Sequence, residues 1–198
     1  MNFKNYDLVL ITDEKERLYF LGFHSTAGYV LITPEKKYFV VDDRYVKAAE
    51  KALTKKGIKV LRGSDYSFLK QFAEENGYKT IAVDFTKITV SEYEEMKKLG
   101  FEYVDASVEI RDEMSIKTDE EIKCIAKACD IAERAWKETL PFIKPGVTER
   151  EVANELEYNF KKFGASGTSF DTIVAFGKNA AVPHHETGET KLKDNECV

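Results

Sequence analysis

The 198 residues carry a net charge of −5, with 43% hydrophobic and 33% charged residues, the composition of a folded chain with room for one large domain or two modest ones. That charge gives no basic footprint for nucleic acid. No apolar run approaches the ~20 residues that span a bilayer, and the acidic start "MNFKNYDLVLITDEKERL" lacks a signal-peptide core, so the expected location is cytoplasmic, with neither nucleic acid nor membrane as partner.

In chain order, "DLVLI" and "LYFLGF" are apolar and predict strands. "AGYVLIT" and "KYFVVDD" flank the turn "PEKK" and predict a hairpin. "RYVKAAEKALTKKG" is an amphipathic helix stopped by Gly57, with "IKVLRG" as the next strand. "SFLKQFAEENG" repeats the helix, stopped by Gly77, and "TIAVDF" repeats the strand. A third helix is expected from Ser91, with Glu94 closing a capping box, and "FEYVDA" follows Gly100 as a strand. A hairpin followed by strand–helix units predicts an α/β domain with a mixed sheet and flanking helices.

The pattern changes after "VEIRDEMSIK". Thr118 and Glu121 predict a capping box on a long helix from Asp119 to Leu140. Its apolar stripe is Ile122, Ile125, Ala126, Cys129, Ala132 and Trp136, placed at helical spacing and expected to face inward. "PFIKPG" ends it. Thr148 and Glu151 open a second capped helix through Phe163, with Val152, Leu156, Phe160 and Phe163 inward. "SFDTIVAFG" predicts a strand and "ECV" the start of another. The domain boundary falls near residues 112–118, giving domains 1–115 and 116–198. Two helices and one or two strands cannot bury both faces of the sheet they imply, so the second segment is expected either to borrow surface from the first domain or to belong to a longer natural protein.

The candidate chemistry is sparse. There is no HExxH and no GxSxG, and "KGIKVLRGS" and "ASGTS" lack the context of a phosphate cradle. Cys124, Cys129 and Cys197 form no CxxC pair. The first two lie five residues apart, about 140° around a helix, so they cannot share a metal from one face and are expected as reduced core thiols. "DDRY", Asp42–Tyr45, reads as a structural strand-to-helix corner in preference to an interface, and His24 in "LGFHSTAG" as a solvated loop histidine in preference to a binding residue on a mobile loop. The adjacent His184 and His185 are a weak metal signal. On extended backbone neighbours point to opposite faces, so only one would look into a site.

These segments together resemble the prolidase and Xaa-Pro aminopeptidase family of pita-bread metallopeptidases. "LYFLGFHSTAGYVLITPEKKYFVVDDRY" is similar to the creatinase-type N-terminal domain, with Phe20 and Leu21 departing from its usual wording and Asp43 standing where Gly is usual. "RDEMSIKTDEEIKCIAKACDIAERAW" resembles the helix that opens the catalytic domain. "IKPGVTEREVANELEYNFKKFGASGTSFDTIVAFGKNAAVPHHETGETKLKDNECV" carries the family's Lys-Pro-Gly-Val-Thr-Glu opening, Ser-Phe-Asp-Thr-Ile-Val strand and Pro-His-His-Glu loop in order.

The resemblance implies hydrolysis of the bond between an N-terminal residue and proline. It implies two divalent metals, Mn²⁺ first with Co²⁺ or Zn²⁺ as substitutes, held by Asp, His and Glu ligands. Those ligands are expected after Val198, so no metal residue is assigned in this sequence and the chain alone is expected to be inactive. It implies a homodimer and an Xaa-Pro peptide as partners. His184 matches the family's substrate-site hydrogen-bonding histidine, which is not a ligand, and His185 is left to the loop's own hydrogen bonding. The alternatives are a creatinase-like amidinohydrolase and a non-catalytic pita-bread binding module.

Overall fold

The computed structural model describes residues 3 and 5–198, which form two compact units, one ending at Ile116 and one spanning Lys117–Val198. The first is built on six strands: β1 (Val9–Ile11), β2 (Tyr29–Ile32), β3 (Lys37–Val41), β4 (Lys59–Arg62), β5 (Thr80–Val83) and β6 (Glu102–Asp105). Their order is β4-β3-β2-β1-β5-β6. β2 runs antiparallel to both neighbours and every other pairing is parallel, so the sheet is mixed, as the sequence predicts.

Alternation along the strands sorts apolar side chains onto two faces. Val9, Ile11, Val30, Ile32, Phe39 and Val41 pack with residues of α1 (Glu14–Leu21), α2 (Val46–Leu53) and α5 (Ser107–Ser115). Leu8, Leu10, Leu31, Val40, Ile81 and Val83 pack with α3 (Ser67–Asn76) and α4 (Val90–Lys97). Both faces are therefore covered, which explains why the central strands read as continuous apolar runs.

Three elements differ from the expectation. "LYFLGF" is not a strand but the end of α1 and its Gly22 stop. Asp13 caps α1 through the amides of Lys15 and Glu16, and Gly22 closes it at φ +59°. The aromatic residues Tyr19 and Phe20 suggest β structure, and the cap and stop outweigh that bias. α4 starts two residues earlier than expected, because the capping box is Thr89 with Glu92, not Ser91 with Glu94. α5 occupies the stretch before the change of pattern, for which the sequence predicts no element.

α1 also drives two charged side chains inward. Arg17, 5% exposed, donates from Nη1 to the Thr12 carbonyl and from Nη2 to the Ser25 carbonyl at 2.9 Å. Glu16, 4% exposed, shares a hydrogen bond with Asp84 at the end of β5. Burial first, then that bond and the Asp84 and Asp13 charges, push its carboxyl up to about 8 against the opposing Lys87.

In the second unit, α6 (Asp119–Thr139) and α7 (Glu149–Lys162) are capped by the expected boxes, Thr118 with Glu121 and Thr148 with Glu151. The inward face of α6 is not the predicted one. Ile131, Ala135 and Thr139 are buried, whereas Ile122, Ile125 and Trp136 are about half exposed and Cys129 is exposed. The polar bond from Asn159 Nδ2 to Thr139 Oγ1, 3.1 Å, joins α7 to the Ile131–Ala135–Thr139 edge. On α7, Val152 is buried as expected, with Leu156, Phe160 and Phe163 half-buried. Residues 171–176 form no regular strand, because the amides of Val174 and Phe176 donate to side chains, Thr187 Oγ1 and a Glu149 oxygen. "ECV" is likewise irregular.

Candidate functional site around Glu149 and the histidine pair

The site is organised by the start of α7. Gly146, at φ +97°, turns the chain after Pro145, and residues 146–150 then run beside 188–192. Gly146 N donates to Leu192 O (2.8 Å), Leu192 N to Val147 O (2.9 Å), Glu149 N to Thr190 O (3.1 Å) and Arg150 N to Gly188 O (3.0 Å). This pairing brings the "PHHETGET" loop against the first turn of the helix. Arg150 secures it further through Glu189, Nε to Oε1 at 2.5 Å.

Glu149, completely buried, points its carboxylate into that loop. Oε1 accepts from Phe176 N at 2.9 Å and Asn179 Nδ2 at 2.8 Å. Oε2 pairs with His185 Nε2 at 2.9 Å and accepts from Gly188 N at 3.0 Å. An ionised carboxylate has about four acceptor positions, and all are used. Burial alone would raise this carboxyl; the bonds from Asn179, His185, Phe176 and Gly188 outweigh it and bring it down to about 2. A position in the first turn of a helix favours the same charge. Because the carboxylate holds no proton, the proton in its contact with His185 sits on Nε2.

The two histidines differ in environment, and the extended backbone expected for them is not present. The backbone is a turn rather than extended chain: His185 N donates to Val182 O at 3.2 Å across Pro183 and His184. Proline pre-sets the first central residue of such a turn. His185 is thereby directed to Glu149, its side chain 17% exposed. His184 is exposed and, among the described residues, makes no side-chain hydrogen bond or ion pair. The His185 ring is held by Glu149, and the His184 ring is exposed.

Glu149 is the residue that sequence reading missed. An acid just after an N-cap threonine ordinarily complements the helix dipole from solvent, and nothing in its local pattern marks it as buried. The remaining candidates have surroundings of their own. His24 is an exposed loop residue paired with Glu14 at 2.9 Å. Asp42 binds Arg44 at 2.6 Å and Asp43 pairs with Arg62 at the end of β4, which ties the "DDRY" corner within itself and to the neighbouring strand. The three cysteines are unpaired and exposed, not core thiols. Their partners on the expected inward face, such as Ile125 and Trp136, are exposed as well.

The fold and this loop define the class: an N-terminal creatinase/prolidase-type domain followed by a metallopeptidase segment. Residues 1–113 match the family model of the creatinase/prolidase N-terminal domain, and residues 123–198 match that of metallopeptidase family M24. The chain belongs to this prolidase and Xaa-Pro aminopeptidase family. It is 32% identical over 193 residues to a putative Xaa-Pro aminopeptidase of Mycoplasma pneumoniae, covering 97% of this chain and 53% of that protein.

Among solved structures, it is similar to an Xaa-Pro dipeptidase from Bacillus anthracis, with a TM-score of 0.89 and 34% identity over 97% of this chain and 54% of that one. An X-Pro aminopeptidase from Thermotoga maritima gives a TM-score of 0.88 and 29% identity over 97% and 56% of the two chains. The chain thus spans about half the length of the relatives it matches. Among the described residues, no three His, Cys, Asp or Glu side chains gather as a metal site, so the residues present do not fit the metal centre that the family name implies. No helix among them is long and apolar enough to cross a membrane.

Proposed function

We propose that this chain is part of a proline-specific metallopeptidase that hydrolyses the bond between an N-terminal residue and a following proline. His184 serves as the hydrogen-bond donor beside the scissile group. The observation that carries the assignment is the asymmetry of the pair: His185 is held by buried Glu149, and His184 is exposed with no partner among the described residues. The names of the similar proteins, an Xaa-Pro dipeptidase and Xaa-Pro aminopeptidases, support the substrate class. The reading includes two divalent metal ions, manganese first, held by donors outside the described residues. It also includes a homodimer and a cytoplasmic location.

A donor placed where charge develops in the transition state typically contributes ~2.7–4 kcal/mol, or about 10²–10³ in rate. The test is His184→Ala against His185→Ala in the protein at its relatives' full length, with activity on an Xaa-Pro peptide and bound metal both measured. His184→Ala is expected to lose about 10²–10³ in kcat/KM with metal content unchanged. His185→Ala is expected to affect stability more than rate. Metal lost in proportion to activity in His184→Ala makes it a ligand and refutes the role. Full activity in both variants leaves the pair purely structural.

A further inference from the structure

We infer that Glu149 is a positioning residue for His184, acting through His185 and the Gly188 amide to fix the turn that presents the His184 imidazole. This inference rests on the proposed role of His184.

The argument begins with what the carboxylate joins. Its four bonds reach three separate stretches of chain: Phe176 at the end of the extended segment, Asn179 in the helical turn that follows, and His185 with Gly188 in the histidine loop. His184 lies between two points that are pinned. Before it, the Val182 carbonyl accepts from the His185 amide and closes the turn. After it, the His185 ring is held by Oε2, and further along Gly188 is held by Oε2 and by the Arg150 amide. Asn179 also donates to Thr190 Oγ1 at 3.1 Å, and Thr187 Oγ1 donates to Thr172 O at 3.0 Å, so the loop is braced along its length. Among the described residues, the His184 side chain in this braced turn makes no hydrogen bond or ion pair.

A carboxylate is needed here because all four partners are donors. A glutamine of the same shape has one accepting oxygen and one NH₂ group. If its oxygen faces Phe176 N and Asn179, its NH₂ faces His185 and Gly188 N. If it flips, its NH₂ faces Phe176 N and Asn179. His185 can change tautomer to accept from an amide, but a backbone N–H cannot, so one main-chain donor opposes the NH₂ in either orientation. Glu149→Gln therefore releases one side of the loop while keeping nearly the same volume. Glu149→Asp keeps four acceptor positions on a shorter stem and restores part of the anchoring.

The experiment is a double-mutant cycle between position 149 and His184 in the full-length protein, read by kcat and KM on an Xaa-Pro peptide under conditions where every variant is folded. Displacing a reacting group by about 1 Å can cost about 10² in rate. Glu149→Gln is accordingly expected to lower kcat about 100-fold with a smaller change in KM, and Glu149→Asp to recover part of the loss. In the His184→Ala background, Glu149→Gln is expected to change kcat less than about threefold, because the group it positions is gone. An equal loss in both backgrounds shows that Glu149 acts on general integrity, which overturns the inference and leaves the role of His184 standing. Full activity in His184→Ala removes that role and the inference with it. A second arm uses the 198-residue chain and ¹⁵N NMR of the imidazoles. His185 is expected to carry its proton on Nε2 in the wild type, and Glu149→Gln to abolish that preference and broaden the His184 resonances. A wild-type His185 protonated on Nδ1 alone contradicts the geometry directly.

Discussion

Glu16→Gln isolates one buried carboxyl in the first unit and reports on it through pH. Glu16 is 4% exposed and is held protonated near Asp84, with its carboxyl raised from 4.5 to about 8. Between those values the unfolded chain has lost this proton and the folded chain keeps it. The folded state then binds more protons, and stability falls as pH rises through the window. The contribution is fully present below pH 4.5 and gone above about 8. At about 1.36 kcal/mol per pH unit, the whole displacement corresponds to a loss of about 5 kcal/mol. That is a large share of the ~5–15 kcal/mol by which domains are stable.

Other shifted carboxyls of this unit do not blur the window. Asp42, Asp65 and Asp105 are lowered from 3.8, so their contributions are present above that value and fade only at lower pH. The assay is urea unfolding from pH 5 to 8, followed by amide exchange in peptides covering residues 8–32. Wild type is expected to lose several kcal/mol across the range, and Glu16→Gln to lose little of it. At pH 8 the variant is expected to be the more stable protein. A wild-type profile that is flat or rises, or a variant with an undiminished slope, refutes the buried protonated carboxyl.

Two more outcomes test the fold. Gly28 sits at φ +95°, and a Cβ there would lie 2.4 Å from the Val40 carbonyl, whereas Gly57 at φ +74° has open space. Gly57→Ala should cost about 1 kcal/mol and Gly28→Ala about 3 kcal/mol or more, because steric overlap adds to backbone strain; equal urea midpoints contradict that close approach. A fragment of residues 1–115 should melt cooperatively by circular dichroism, and a broad melt with strong dye binding places the domain boundary elsewhere.

The first unit was largely legible because its strands and helices differ in period and are punctuated by glycines. Gly57, Gly77 and Gly100 all adopt positive φ where the helices stop. At α1 residue type and capping signals disagree, and the caps decide. "LYFLGF" has β-like side chains, but Asp13 and Gly22 bound a helix, and its buried face includes Glu16 and Arg17, which no apolar pattern reveals. The stripe of α6 illustrates the reverse error: Ile122, Ile125 and Trp136 have the right spacing, yet α7 meets the Ile131–Ala135–Thr139 edge. Periodicity shows that a face is apolar, while only its neighbours decide whether it is covered. At the site, the histidine pair stood out in the sequence. Glu149 did not, because its four partners lie 27 to 39 residues away in the chain.

The central claim is proline-specific hydrolysis, and its most direct test compares an Xaa-Pro dipeptide with the matching Xaa-Ala dipeptide. The protein at its relatives' full length, stripped by chelator and then supplied with Mn²⁺, is incubated with each, and the released amino acids are quantified. Release of proline that depends on added metal, with the Xaa-Ala peptide left intact, is the predicted result. No cleavage with Mn²⁺, Co²⁺ or Zn²⁺, or equal cleavage of the two peptides, would contradict the account.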